Sequence, residues 1–329
     1  MSSIRRFRKT ILTIFFLAIF MFARTSYFVV RPGSAEDLSR YIKVEEPAAV
    51  DEGTFYLVTV SQQVATPALF LYALADPYAD LQPRRNVIPP TMDPEEYNKI
   101  MQRYMVESQN LAKVVALRHV GIEVPIISDG IKVVEVEEGS PAKGRLFPDD
   151  IIIAVEERQV YLVEEVISEV QKKKIGDPVT LTVKRGNDIK EITIATTTHT
   201  EQPDKAGIRV LIQTLNWQPV MTINVEIDVG KISGPSAGLM FVLEIINQLE
   251  QKDLTAGRKI AGTGTINLQE QVGAIGGVRQ KVKAAEEAGA EYFLVPRDNY
   301  VEAKKAARNI TLVPVGTLSE ALSFLQTLN

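Results

Sequence analysis

From Leu239 to Leu249 the chain is apolar on almost every face a helix would present: Leu239, Met240, Phe241, Val242, Leu243, Ile245, Ile246 and Leu249. A helix with no polar face has to be buried, so this stretch demands a folded layer around it. It is opened by Gly234-Pro235-Ser236-Ala237-Gly238, which predicts a serine just inside the helix start. Unpaired backbone N–H groups and the helix dipole favour developing negative charge at that place. Taken alone, such a serine serves equally well as a cap after a Gly-Pro turn.

The surrounding sequence supplies the layer. Ile208 to Leu215, Met221 to Ile227, Ile260 to Thr265, Gln271 to Ile275, Tyr292 to Pro296 and Thr311 to Val315 read as strands. Val278 to Ala288, Val301 to Ala307 and Leu318 to Leu328 read as helices. Strands alternating with helices predict an α/β (α+β) fold, a sheet with helical cover, over residues 199–329.

A second feature lies in that domain. Gly276-Gly277-Val278-Arg279-Gln280-Lys281 opens a helix on which Val278, Lys281, Val282 and Ala285 share one apolar face. Arg279, Lys283 and Glu286 fall on other faces, and Lys283 reads as an ordinary solvated lysine. A lysine on an apolar face either snorkels to water or is buried. Burial lowers its pKa and makes it a neutral base near pH 7. The chain leaves little else for hydrolytic chemistry. It has no cysteine, and its two histidines are His119 and His199. Thiol catalysis, disulfides and cysteine-based zinc sites are excluded. No phosphate-binding Gly-x-x-x-x-Gly-Lys-Ser/Thr and no Asp-x-Asp-x-Asp-Gly calcium loop occurs. No metal or other cofactor is expected, and a net charge of −4 offers no general field for nucleic acid. Serine chemistry with a lysine base is the arrangement the residues permit.

The rest of the chain divides into three further parts. Residues 1–33 carry Arg5, Arg6, Arg8 and Lys9 ahead of an apolar run, Ile11 to Ala23, which Tyr27-Phe28-Val29-Val30 extends past Arg24. With the extension the run reaches about 20 residues, enough to span a bilayer. The basic flank predicts a cytoplasmic stub and an uncleaved signal anchor, with the catalytic part outside. Residues 34–115 contain a buried strand, Thr54 to Val60, and a helix opened by Asp93-Pro94-Glu95-Glu96. That helix runs through Met101, Met105, Leu111 and Val115, and the segment is a candidate to pack with the last domain. Residues 116–198 show strands at Ile131–Val136, Asp150–Val155, Val179–Val183 and Ile189–Ala195, a turn at Gly139-Ser140-Pro141-Ala142, and an amphipathic helix from Val163 to Lys173. The stretch from Val133 to Val155 resembles a PDZ domain, which implies a β-rich fold binding extended peptides at a sheet edge. Asp149 stands where many such domains of protease-associated type have glycine. The best candidate for a peptide-carboxylate loop is Val120 to Ile131.

The combination Gly234-Pro235-Ser236-Ala237-Gly238, Thr263-Gly264-Thr265 and Ile275-Gly276-Gly277-x-x-x-Lys281-x-x-Ala284-Ala285 resembles the proteolytic domain of Lon proteases. The resemblance implies that Ser236 is the nucleophile and Lys281 its base, with Thr263 orienting the lysine amine. Two positions depart from the family pattern. Ser233 precedes Gly-Pro-Ser where an acidic residue is usual, and Thr265 replaces the glutamate of Thr-Gly-Glu. The layout is similar to the PDZ-containing, secreted Lon-like proteases of Gram-positive bacteria. It implies an ATP-independent, membrane-anchored serine endopeptidase acting on extracytoplasmic peptides or disordered protein segments. A homo-oligomer is compatible with the family. Two other readings use the same residues. One is a PDZ scaffold or protease regulator with an inactive Lon-like domain. The other is a Ser/Lys amidase acting on non-peptide substrates.

Overall fold

The computed structural model describes residues 7, 11–12, 15, 20–45, 47–48, 52–89, 92–199 and 204–328. They form two compact units, one of Met1–Glu123 together with Ile223–Asn329 and one of Val124–Thr222.

The first unit is built on a six-stranded sheet. Its strands are β1 (Tyr27–Asp37), β2 (Thr54–Val64), β3 (Asp80–Pro83), β4 (Lys259–Gly262), β5 (Tyr292–Pro296) and β6 (Thr311–Val315). Their order is β6-β5-β4-β2-β1-β3. β2, β4, β5 and β6 are mutually parallel, and β1 is antiparallel to both β2 and β3. The sheet therefore joins residues 27–83 to residues 259–315 through the β2–β4 pairing.

Among the described residues no helix is long and apolar enough to cross a membrane. The expected extension of the N-terminal apolar run, Tyr27 to Val30, is the first part of β1. Phe28, Val29 and Val30 are buried and hydrogen-bonded between β2 and β3. They are apolar because an interior strand is covered on both faces. The folded unit thus begins at Tyr27, ahead of the boundary expected at residue 34. Six of the thirteen residues of the run Ile11 to Ala23 lie outside the described residues.

The helices that matter here are α1 (Pro67–Ala75), α2 (Pro94–His119), α3 (Gly238–Leu249), α4 (Val278–Glu287), α5 (Tyr300–Ala306) and α6 (Leu318–Gln326). α2 starts where its signals predict. The Asp93 carboxylate accepts the N–H groups of Glu95 and Glu96 at 2.7 and 3.0 Å, and Pro94 occupies the first turn. Met105 on α2 is buried as core. α3 is buried from Gly238 to Gln248, as its composition demands. Consecutive strand residues face opposite sides of a sheet, and β4 uses both. Ala261 packs with Val278 and Val282 of α4, whereas a Cβ on Gly262 would lie 2.5 Å from Met240 Sδ of α3. α3 and α4 therefore cover opposite faces of β4.

The second unit is a sheet in the order Asp188–Ala195, Pro178–Arg185, Ile151–Val155, Ile131–Val136, Val210–Thr214, with Arg158–Gln159 paired to Ile151–Val155. Helix Val163–Gln171 closes the core through Val166 and Val170. The strand expected in the last domain at Ile208 to Leu215 is Val210–Thr214, and it pairs with Ile131–Val136. The unit accordingly runs to Thr222, past the boundary expected at residue 198. Asp149 takes the left-handed conformation, φ 70°, that a glycine would adopt freely, and its carboxylate meets Lys132 at 2.5 Å. Asp150 is 1% exposed and grips Arg185 through two hydrogen bonds of 2.7 and 2.8 Å.

Candidate active site

The two faces of the first sheet meet at the carboxyl end of β4, and there the chain places its serine and lysine. Helix α3 begins at Gly238, so Ser236 sits in the turn two residues earlier, not inside the helix. The turn is fixed by a backbone ladder. Gly264 N–H donates to the Ser236 carbonyl at 2.9 Å, and Leu239 N–H donates to the Gly264 carbonyl at 3.1 Å. The first intrahelical bond, from Phe241 N–H to the Ala237 carbonyl, leaves the N–H groups of Ser236, Ala237 and Gly238 without an intrahelical acceptor. Gly238 has a steric reason to be glycine. A Cβ there would lie 2.9 Å from Ile266 Cγ2 and 3.1 Å from Ser108 Oγ.

Lys281 approaches from the other layer. Val278, Lys281, Val282 and Ala285 are all buried, the face predicted from helical spacing. Gly277 starts α4 at φ 69°, a left-handed position that tolerates a side chain poorly. Lys281 Nζ lies 2.7 Å from Ser236 Oγ and 3.0 Å from Thr263 Oγ1. Thr263 Oγ–H donates to the Ser236 carbonyl at 2.9 Å. Thr263 thus touches both the lysine amine and the backbone of the serine. Lys281 is 3% exposed, and burial draws its pKa from the usual 10.5 down to about 7. A neutral amine has one lone pair and two N–H groups. Nζ donates to both Ser236 Oγ and Thr263 Oγ1, and loss of one proton leaves a lone pair that can accept from the serine hydroxyl. Lys283, expected to be solvated, is half-buried, pairing with Glu287 at 3.3 Å and lying 5.4 Å from the centre of the Tyr78 ring.

Some supporting residues escaped the sequence reading. Ser108 on α2 is buried and donates to the Pro235 carbonyl at 3.1 Å. Gly234 N–H donates to the Met101 carbonyl at 3.0 Å. α2 therefore holds the turn from the side opposite Thr263. A signal existed, since Ser108 lies at helical spacing with Met101, Met105, Ala112 and Val115 on an apolar face. Gln280 is fully buried and donates to Asp80 of β3 at 2.5 Å, tying the first turn of α4 to the N-terminal strands. Ligands of open α/β sheets gather beyond the carboxyl ends of parallel strands. A cleft of about 410 Å³ lies there, lined among others by Thr265, Ile266, Arg297, Asp298 and Thr317 but not by Ser236, Thr263 or Lys281. Thr265, one of the two departures from the family pattern, is thus a cleft residue two positions from Thr263. Ser233, the other, is exposed.

The second unit has a groove of its own. A cleft of about 310 Å³ runs between helix Val163–Gln171 and the segment Ala206–Ile212, lined by Val166, Val170, Ile208, Val210, His199 and Arg209. Val210–Thr214 is the last strand of its sheet. The stretch Val120 to Ile131, expected to form a peptide-carboxylate loop, does not line this groove. Its Ile126–Ile127 pairs instead with Gln218–Pro219. Local patterning places this edge strand with the following domain, because only its pairing with Ile131–Val136 joins it to the middle unit.

Comparisons with known proteins find two families whose matches overlap over residues 163–196. Residues 119–196 match the PDZ domain family, and residues 163–325 match the Lon protease (S16) C-terminal proteolytic domain. A Lon protease of Roseiflexus castenholzii is 30% identical over 150 residues, 44% of this chain and 18% of that protein. Lon protease 2 of Bacillus subtilis is 34% identical over 91 residues, 28% of this chain and 16% of its own length. The chain spans less than a fifth of the length of these curated relatives. The PDZ domain of an SdrC-like protein from Listeria innocua is 31% identical, with 26% of this chain and 94% of that one covered at a TM-score of 0.24. The matches support a PDZ-containing Lon-like protease, and the Lon protease (S16) relationship indicates a serine peptidase.

Proposed function

We propose that this chain is an ATP-independent serine endopeptidase in which Ser236 is the nucleophile and Lys281 the general base. The observation that carries the reading is the 2.7 Å approach of the buried Lys281 Nζ to Oγ of the half-buried Ser236. A lysine pKa of about 7 leaves a large fraction of the amine neutral at physiological pH. In the first step Ser236 Oγ attacks a peptide carbonyl carbon while its proton passes to Nζ. The tetrahedral oxyanion is received by backbone N–H groups of the Ser236–Gly238 turn. The protonated lysine returns its proton to the leaving amine, and the C–N bond breaks to give an acyl-enzyme. Water, deprotonated by the same amine, attacks the ester and releases the acid. Thr263 keeps the lone pair of Nζ directed at Ser236 throughout, and Ser108 and Gly264 keep the serine backbone still.

Substrates are short, extended or disordered segments, the form in which a peptide enters by strand addition. The groove beside Val210–Thr214 captures such segments by strand addition. The basic cluster Arg5, Arg6, Arg8, Lys9 and the apolar run that follows support a membrane anchor with the catalytic unit outside the cell. The test is cleavage of casein by the full chain in detergent without ATP, beside Ser236→Ala and Lys281→Met. The reading requires cleavage that both substitutions abolish. Cleavage surviving in either variant would overturn it.

A further inference from the structure

Helix α1 has the sequence Pro67-Ala-Leu-Phe-Leu-Tyr-Ala-Leu-Ala75, without a charged residue on any face. A helix apolar all round is normally buried in protein or lipid. Here Ala73 is its buried residue, and Leu69 and Phe70 pack inward beside Val29 and Ala65. Leu71, Tyr72 and Leu74 are 56%, 47% and 67% exposed. Tyr27, itself 37% exposed, stacks edge-on against Phe70 at 5.3 Å and extends the patch. Adjacent exposed apolar side chains of this size mark a surface that meets something.

The position of the patch in the chain identifies the occupant. Thr25 N–H and its hydroxyl both donate to the Ala65 carbonyl at 2.8 Å, and Thr66 is the N-cap of α1. The N-terminal apolar run therefore reaches the folded unit at the start of this helix. Arg84 N–H donates to the Ser26 carbonyl at 2.9 Å. That bond brings the exposed pair Arg84 and Arg85 to the same place as exposed Arg24. Apolar side chains with two tyrosines match the boundary between acyl chains and headgroups; three arginines rim the patch at the start of the helix and outnumber the one carboxylate at its end, Asp76, which accepts the Tyr72 hydroxyl.

We infer that α1 is a second membrane contact. Leu71, Tyr72 and Leu74 dip into the interface of an anionic bilayer while Arg24, Arg84 and Arg85 pair with lipid phosphates. This rests on the anchoring proposed above. Two contacts on one unit fix its orientation on the membrane, where a single tether would let it swing.

The test uses the full chain in vesicles of equal parts phosphatidylcholine and phosphatidylglycerol, with the single tryptophan, Trp217, replaced by phenylalanine. New tryptophans are introduced as Leu71→Trp, Leu74→Trp, Phe15→Trp in the anchor, and Val301→Trp at a site 72% exposed. Brominated lipid should quench Leu71→Trp and Leu74→Trp by roughly half, the depth expected of an interfacial helix, and leave Val301→Trp unchanged. Quenching at Phe15→Trp without quenching at 71 and 74 would overturn the second contact and leave the anchor standing. No quenching at any of the three would overturn both. Equal quenching at 301 would mean general adsorption and would also overturn the inference. A blue-shifted but unquenched tryptophan at 71 would assign the face to a second protein copy instead.

Discussion

The buried lysine makes a prediction about stability that is independent of any substrate. In the unfolded chain Lys281 titrates near 10.5, and in the folded unit near 7. Between those values folding expels a proton, so the folded state is disfavoured relative to a chain with an uncharged side chain at that position. Lys281→Met, of similar length and apolar, removes the penalty. From the two pKa values the variant should be more stable by about 2 kcal/mol at pH 9 and about 4 kcal/mol at pH 7. Below pH 6 both states hold the proton, and the gain levels off near 5 kcal/mol by about pH 5. The same substitution abolishes cleavage, and in the unsubstituted protein the rate should fall as pH drops through about 7. Urea denaturation of the two proteins at pH 5, 6, 7 and 9 measures the gap. A gap that does not change with pH, or a variant less stable than the parent, would refute the argument. It would mean that Lys281 keeps its charge solvated and is not a neutral base.

Other outcomes follow from the same geometry. Thr263→Val keeps the shape but frees Lys281 Nζ and removes one bond to the Ser236 carbonyl. It should lower kcat by about 10²-fold through misplacement of the base with little effect on KM, as steady-state kinetics on a fluorogenic peptide would register. A fragment starting at residue 34 loses buried Phe28, Val29 and Val30 from the interior of the sheet. At about 1.5–3 kcal/mol each that approaches the whole stability of a domain. Its first unit should lose its melting transition while the Val124–Thr222 unit keeps its own, whereas in a fragment starting at Arg24 both should melt cooperatively, as calorimetry would register. Arg185→Ala strands the buried Asp150 carboxylate and should cost about 3–5 kcal/mol near neutral pH. Burial pushes that carboxyl up, but the Arg185 and Phe147 hydrogen bonds hold it below its usual range. The pair's contribution is therefore present above about pH 4 and lost as pH falls further, so denaturation midpoints of parent and variant should converge in acid.

The two side chains of the proposed dyad are legible because each sits in a short, strongly patterned segment. Lys281 lies on an apolar helical face, and Ser236 lies at the mouth of a helix that has to be buried. What could not be read locally is what depends on distant pairing. Tyr27 to Val30 has the composition of a membrane helix or of an interior strand, and only its partners at residues 60–64 and 80–83 decide between them. Val210–Thr214 looks like any half-buried strand, and its pairing with Ile131–Val136 assigns it to the middle unit. Ser108 was missed for a related reason. A serine on an apolar helix face signals a buried acceptor, but the acceptor, the Pro235 carbonyl, lies 127 residues away.

The interleaving of the two units sets an order of events during synthesis. The strands made first, Tyr27–Asp37 and Thr54–Val64, have to wait for β4, which begins at Lys259. The Val124–Thr222 unit draws all its strands from one continuous stretch and is free to fold while they wait. Contacts between residues this far apart in sequence form late, because the loop must close before it is rewarded. Thr263, Lys281 and the sheet that carries them come together only after the last third of the chain has been made. The dyad proposed above is therefore absent from every shorter nascent chain, and it is assembled in one step when the final strands dock.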